Sequence, residues 1–261
     1  MLEYDATTTK IFGMPPYFFF TVIGIMFASS LFILLLLKHG YSIPRYTKIF
    51  FLSGGGLLIG AKLFGCFSGL YIALTNKKPI TLETLLNTGI VFLGGLFGFI
   101  VTFLLICKIW SKKIDYGVVG LVAVCIPLFH FWARLGCFFA GCCYGIEANS
   151  KLSVLYTTQI HGEVIKASRI PIQLFEAVLN IVVFSVLIIL LGKNNCKNHL
   201  LKIYLLIYAS MRIVLELFRG DEVRGVWNGI SFSQIASVLI IIVCAMLLIN
   251  KKQKEKKHEI N

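Results

Sequence analysis

Seven long apolar runs dominate the sequence, with cores near residues 17–37, 49–74, 88–109, 116–131, 171–191, 203–217 and 230–249. Several reach the roughly 20 residues that carry a helix across a hydrocarbon core. A soluble domain cannot hide so many: about a quarter of its residues would be charged, and here 14% are. With 57% of its residues hydrophobic and a mean hydropathy of +0.85, the chain needs an apolar solvent. The same figures exclude a disordered chain, which is poor in apolar residues. The expectation is an all-α polytopic membrane protein with about seven transmembrane helices. The first run has no basic segment before it and ends in Lys38, so it is expected to be an uncleaved span.

Basic residues sort the connections by side. Lys38, Arg45 and Lys48 follow the first run; Lys108, Lys112 and Lys113 follow the third; Lys193, Lys197 and Lys202 follow the fifth; Lys251, Lys252, Lys254, Lys256 and Lys257 follow the seventh. These fall on one side of the membrane when the number of spans is odd, and the positive-inside rule makes that side cytoplasmic. The N-terminus with Glu3 and Asp5, and the long connection 132–169, are then outside. The formal net charge of +13 is explained by this loop clustering, so no nucleic-acid partner is expected. Residues 1–250 read as a single transmembrane domain, and 251–261 as a basic, solvated cytoplasmic tail near anionic lipid.

Glycines gather at Gly54, Gly55, Gly56, Gly60 and Gly65, and again at Gly94, Gly95 and Gly98. Inside apolar runs they read as close-packing positions between helices. No strand-turn-helix context surrounds them, so no nucleotide fingerprint is present.

Two places carry chemistry. In the sixth run, Tyr208, Arg212, Glu216 and Arg219 are spaced four, four and three apart, which puts them on one helix face. Ionisable groups at bilayer depth are costly and mark functional cavities by default. A guanidinium fork matches phosphate oxygens, so Arg212 held by Glu216 is expected to form an anion site. The bland alternative is an ion pair that only pins neighbouring helices.

The second place is the run from His130 to Gly145, with Arg134, Gly136, Cys137, Gly141, Cys142 and Cys143. Its glycines suit a tightly folded re-entrant, periplasmic-side segment, acceptable where it lines a cavity. The spacing Cys-x4-Cys-Cys departs from standard zinc patterns, so no metal and no cofactor are expected. On the outer side a disulfide is open to Cys137 with either Cys142 or Cys143. Cys66, Cys107, Cys125 and Cys244 lie in apolar runs and read as small packing residues.

These motifs, in this order, resemble those of the prolipoprotein diacylglyceryl transferases. Arg134, Gly136, Phe138, Gly141, Tyr144 and Gly145 match that family's signature, and Tyr208, Arg212, Glu216 and Arg219 match its second charged segment. Pro171-Ile-Gln173-Leu174-Phe175-Glu176 is similar to its Pro-x-Gln-Leu-Tyr-Glu motif, and Gly60-Ala-Lys62 to its Gly-Ala-Arg. Tyr17, after Pro15 and Pro16, sits where the family has an early aromatic pair. Three positions depart: Leu93 stands for the histidine of Phe-His-Gly-Gly, Cys137 for the signature Asn and Cys142 for the signature Glu.

The resemblance implies a bacterial inner-membrane enzyme. It would move the diacylglyceryl group of phosphatidylglycerol to the lipobox cysteine of a prolipoprotein signal peptide, releasing glycerol phosphate. It implies Arg134 and Arg212 as an electrophilic clamp on the phosphate, with Glu216 orienting Arg212 and with Tyr17, Gly136, Gly145, Tyr208 and Arg219 binding substrate. Because the nucleophile belongs to the acceptor, no catalytic cysteine is required. The departures leave two alternatives open: a divergent paralogue serving another acceptor, and a non-catalytic lipid-binding or transport protein.

Overall fold

The computed structural model describes residues 2–75, 81, 88–89, 91–160, 163–193, 196–220, 226–227 and 230–260. Its helices are α1 (Pro16–Lys38), α2 (Ile43–Thr75), α3 (Phe92–Ser111), α4 (Tyr116–Phe139), α5 (Ile172–Leu191), α6 (Leu200–Glu216) and α7 (Phe232–Ile260). Six are long and apolar enough to cross a membrane, α6 with the 3-10 turn Lys197–His199 that precedes it; the apolar part of α7, Phe232–Leu247, is shorter. The helical backbone of α7 continues through the basic tail to Ile260.

The helices start where local chemistry favours it. Pro16 opens α1, at the one turn of a helix where a missing N–H costs nothing. Asp115 caps α4, its carboxylate accepting from the N–H groups of Gly117 and Val118. α4 is the central helix: a run from Gly117 to Pro127 is buried throughout, because α1, α5 and α6 all pack on it. The outer faces of α1, α2 and α5 leave Met26, Leu34, Leu58, Leu63, Val178 and Ile189 exposed, as a lipid-facing surface requires.

α2 and α3 meet through glycine. A Cβ on Gly98 would lie 2.1 Å from the Gly56 carbonyl oxygen, and one on Gly60 2.3 Å from that of Gly94. Gly54 and Gly55 face open space instead.

The long connection after α4 is not only loop. Strands β2 (Val154–Ile160) and β3 (Glu163–Arg169) form an antiparallel pair, and β1 (Leu2–Asp5) adds to β2 in parallel. The sheet lies against the C-terminal end of α4: the Tyr4 hydroxyl donates to the Phe139 carbonyl at 2.8 Å, and Tyr4 stacks on Phe138. A two-stranded ribbon, β4 (Val226–Trp227) with β5 (Ile230–Ser231), precedes α7.

Candidate active site

α4 runs on to Phe139, eight residues past the end of the apolar run that predicts it. Arg134, Gly136, Cys137 and Phe138 therefore lie on its last turns, and the chain reverses only after Ala140. Three helix ends converge here: Arg134 near the end of α4, Glu176 near the start of α5 and Arg212 near the end of α6.

The centre of the cluster is Glu176, 1% exposed. Its Oε1 lies 2.8 Å from Arg134 Nη2 and 3.5 Å from His130 Nε2, and its Oε2 lies 3.8 Å from Arg212 Nη1. Arg212 Nη2 pairs with Glu216 Oε2 at 2.7 Å, one helical turn away. The expected Arg212–Glu216 pair is present, and Glu176 links it to Arg134. Arg212 Nη1 has no hydrogen-bond partner, so it keeps a donor for an anion.

His130 comes from the same face of α4, one turn before Arg134. Arg134 Nε donates to His130 Nε2 at 3.1 Å, which leaves the ring proton on Nδ1. The ring stacks on Phe92 with centroids 3.8 Å apart and lies 5.7 Å from the Tyr208 ring. An imidazole thus stands beside the residue that precedes Leu93, although Leu93 itself carries none. His130 and Glu176 were missed as site residues in the sequence. Each had a local signal, His130 one turn from Arg134 on α4 and Glu176 between Gln173 and Asn180 on one face of α5, but that the two meet is set by helix packing.

Tyr208 is buried on α6, stacked with Tyr204. Tyr17 is half-buried on α1, within electrostatic range of Arg134 and of Cys137, Cys142 and Cys143. Gly136 lets α1 and α4 touch: a Cβ there would lie 3.2 Å from Tyr17 Cα and 3.1 Å from Phe20 Cβ. Gly145 serves a different contact. Its N–H donates to the Ile170 carbonyl at 2.9 Å, it bridges Arg219, and a Cβ would sit 2.7 Å from the Ile170 oxygen. Arg219 is thereby brought to the edge of the cluster, 8% exposed. Lys62, on α2, donates to the Thr88 carbonyl at 2.8 Å.

Cys137, Cys142 and Cys143 form a second group beside the first, with all three Sγ atoms within 4.8 Å of one another. All eight cysteines are free thiols. Hydrogen bonds from Cys137 and Cys142 hold the Cys143 thiol well below its ordinary value, and the nearby Arg219 and Arg134 charges act the same way. Cys142, sharing those hydrogen bonds, is pushed up.

Among the described residues, the buried charged side chains are Arg134, Arg212 and Arg219 against Glu176 and Glu216. With His130 neutral, and before the neighbouring thiols are counted, these five side chains carry one net positive charge away from water. That is costly unless an anion joins it.

The model of the prolipoprotein diacylglyceryl transferase family matches residues 8–250. A phosphatidylglycerol–prolipoprotein diacylglyceryl transferase of Clostridium tetani is 27% identical over 79% of this chain and 80% of its own length. A Clostridium perfringens protein named phosphatidylglycerol–prolipoprotein diacylglyceryl transferase 2 is 27% identical over 95% of this chain and 96% of its own. A transferase of the same name from Proteus mirabilis is 26% identical over 84% and 81%. The match takes in the apolar helices, the charged cluster and the thiol group together, and the chain belongs to the prolipoprotein diacylglyceryl transferase family.

Proposed function

We propose that this protein transfers the diacylglyceryl group of phosphatidylglycerol to the lipobox cysteine thiol of a prolipoprotein. The observation that carries this reading is the net positive charge buried among Arg134, Arg212, Arg219, Glu176 and Glu216. A phospholipid headgroup is the anion a membrane offers at that depth. The names of the relatives support the same substrates.

The reaction is displacement at a glycerol carbon bearing a phosphate leaving group. The acceptor sulfur forms a bond to that carbon, the carbon–oxygen bond breaks, and glycerol phosphate leaves with the electron pair. Arg134 and Arg212 act as the electrophilic clamp, holding the phosphate and stabilising its growing charge. Glu216 orients Arg212, and Glu176 ties both guanidiniums into one unit. Tyr17 and Tyr208 hydrogen-bond the headgroup. Gly136 and Gly145 act through backbone approach, and Arg219 adds positive field. The single domain over 1–250 lies in the bacterial inner membrane with its N-terminus outside, its C-terminus cytoplasmic and 251–261 as its basic tail.

The test is mass spectrometry of a lipobox peptide incubated with the purified protein and phosphatidylglycerol. The expected product is a cysteine-linked diacylglyceryl peptide with stoichiometric glycerol phosphate. An unmodified peptide, in a mixture where the Clostridium perfringens relative is active, would overturn this reading in favour of another acceptor.

A further inference from the structure

The thiol group is built rather than incidental. Cys137 is buried on the last turn of α4, and Cys142 and Cys143 follow the reversal at Gly141. Adjacent side chains usually diverge. Here Cys143 adopts a φ of 58°, an uncommon region for a residue with a side chain, and its sulfur turns to the same side as the other two. Gly141 has a φ of 64°, and a Cβ there would meet Ala6 Cβ at 2.5 Å and Thr158 Cγ2 at 2.9 Å. The β1–β2 edge therefore fixes the reversal from outside. Gln173 fixes it from inside, its Nε2 donating to the Cys142 carbonyl at 2.7 Å.

We propose that Cys137, Cys142 and Cys143 together hold one thiophilic divalent cation, zinc, and that its fourth position receives the acceptor thiol as a thiolate. This rests on the transfer reading above and supplies what that reading lacks, a group that deprotonates the acceptor. Zinc–sulfur bonds of about 2.3 Å in a tetrahedron set sulfurs about 3.8 Å apart. The three Sγ atoms, within 4.8 Å, need to contract by only about 1 Å to reach that geometry. Soft thiolates select zinc over the harder magnesium and calcium. Three protein ligands with one open position is the arrangement of a zinc site that does chemistry, not of a closed structural one.

A thiol that binds the cation is deprotonated outright. Its proton passes to water, its sulfur forms the bond to the glycerol carbon, and the carbon–oxygen bond to phosphate breaks. The electron pair leaves with glycerol phosphate, and the cation keeps its charge throughout. Four thiolates on one dication carry two net negative charges, and the net positive charge of the arginine cluster beside them offsets part of that. Two of the departures from the family signature, Cys137 and Cys142, are two of the three ligands.

The experiment uses the full chain in detergent, reduced, loaded with zinc or cobalt(II) and desalted. Bound zinc near one ion per chain is expected, and the cobalt form should show sulfur-to-cobalt charge transfer with the intense ligand-field bands of a tetrahedral site. C142S and C143S should lose these bands while keeping their helical circular dichroism, and C196S, in the loop before α6, should retain them. A lipobox peptide should shift the ligand-field bands, and its serine analogue should not. Zinc in the folded native protein no higher than in C142S and C143S would overturn the inference, as would a disulfide within the triad that survives reductant. Bands unmoved by the cysteine peptide would overturn the acceptor position. Diacylglyceryl transfer at full rate by metal-free protein overturns the metal and leaves the transferase reading standing. Loaded protein that passes both spectroscopic tests yet makes no product supports the metal site and overturns the transferase reading.

Discussion

Glu176 is the residue on which the charged cluster depends. It accepts from Arg134 on α4 and faces Arg212 on α6, so its one negative charge serves two cations. Removing one partner of a buried ion pair costs about 3–5 kcal/mol, because the remaining charge is left uncompensated. E176Q keeps the shape and removes the charge. Its thermal midpoint in plain detergent should fall below that of the native protein, the lost stability being at most about that range. Adding phosphatidylglycerol should restore part of it, since the phosphate brings back a negative charge. The midpoint of E176Q should therefore rise more with phosphatidylglycerol than the native midpoint does, measured by thermal unfolding over a lipid titration. Equal rises in both proteins would show that the headgroup binds away from Arg134 and Arg212.

At the scale of helices, the α2–α3 contact separates glycines that a sequence cannot separate. All of Gly54, Gly55, Gly56, Gly60, Gly65, Gly94, Gly95 and Gly98 invite the reading of close packing. Gly56, Gly60, Gly94 and Gly98 hold it, with backbone atoms in the space a Cβ would take, while Gly54 and Gly55 have nothing within 4 Å. G98A should lower the stability by about 1–3 kcal/mol through overpacking, read as a lower thermal midpoint. G55A should change it by less than about 0.5 kcal/mol. Equal effects in thermal unfolding would mean that α2 and α3 do not approach so closely. The apolar runs and the Arg212–Glu216 pair were legible in the sequence, because hydropathy and a spacing of four are local signals. Helix rotation is not local, so the choice between Gly55 and Gly56 was not legible. Nor was β1, which pairs with Val154–Thr157 across most of the chain. The meeting of His130 with Phe92, and of Glu176 with Arg134, depends in the same way on how the helices pack. The thiol group was half legible: its spacing showed three neighbouring cysteines, but not the backbone turn at Cys143 that brings their sulfurs together.

The whole molecule is polar in two senses, and they agree. Lys38, Lys48, Lys108, Lys113, Lys193 and Lys202 lie at the helix ends remote from the three-stranded sheet. The charged cluster lies at the other end, with Arg134 about 7.5 Å inside the end of α4 at 1.5 Å per residue. The positive-inside rule predicts that the sheet end is outside, and the arginines would then stand at the depth of outer-leaflet headgroups. Exposed Thr8 and Lys113 mark the two ends. In intact cells a membrane-impermeant maleimide should label T8C above the native background and leave K113C at that background until the membrane is permeabilised. The reverse pattern would put the cluster at the cytoplasmic leaflet. A lipobox cysteine presented from the outer face would then lie across the bilayer from Arg134 and Arg212, and the acceptor would have to be a thiol or other nucleophile reaching the site from the cytoplasm.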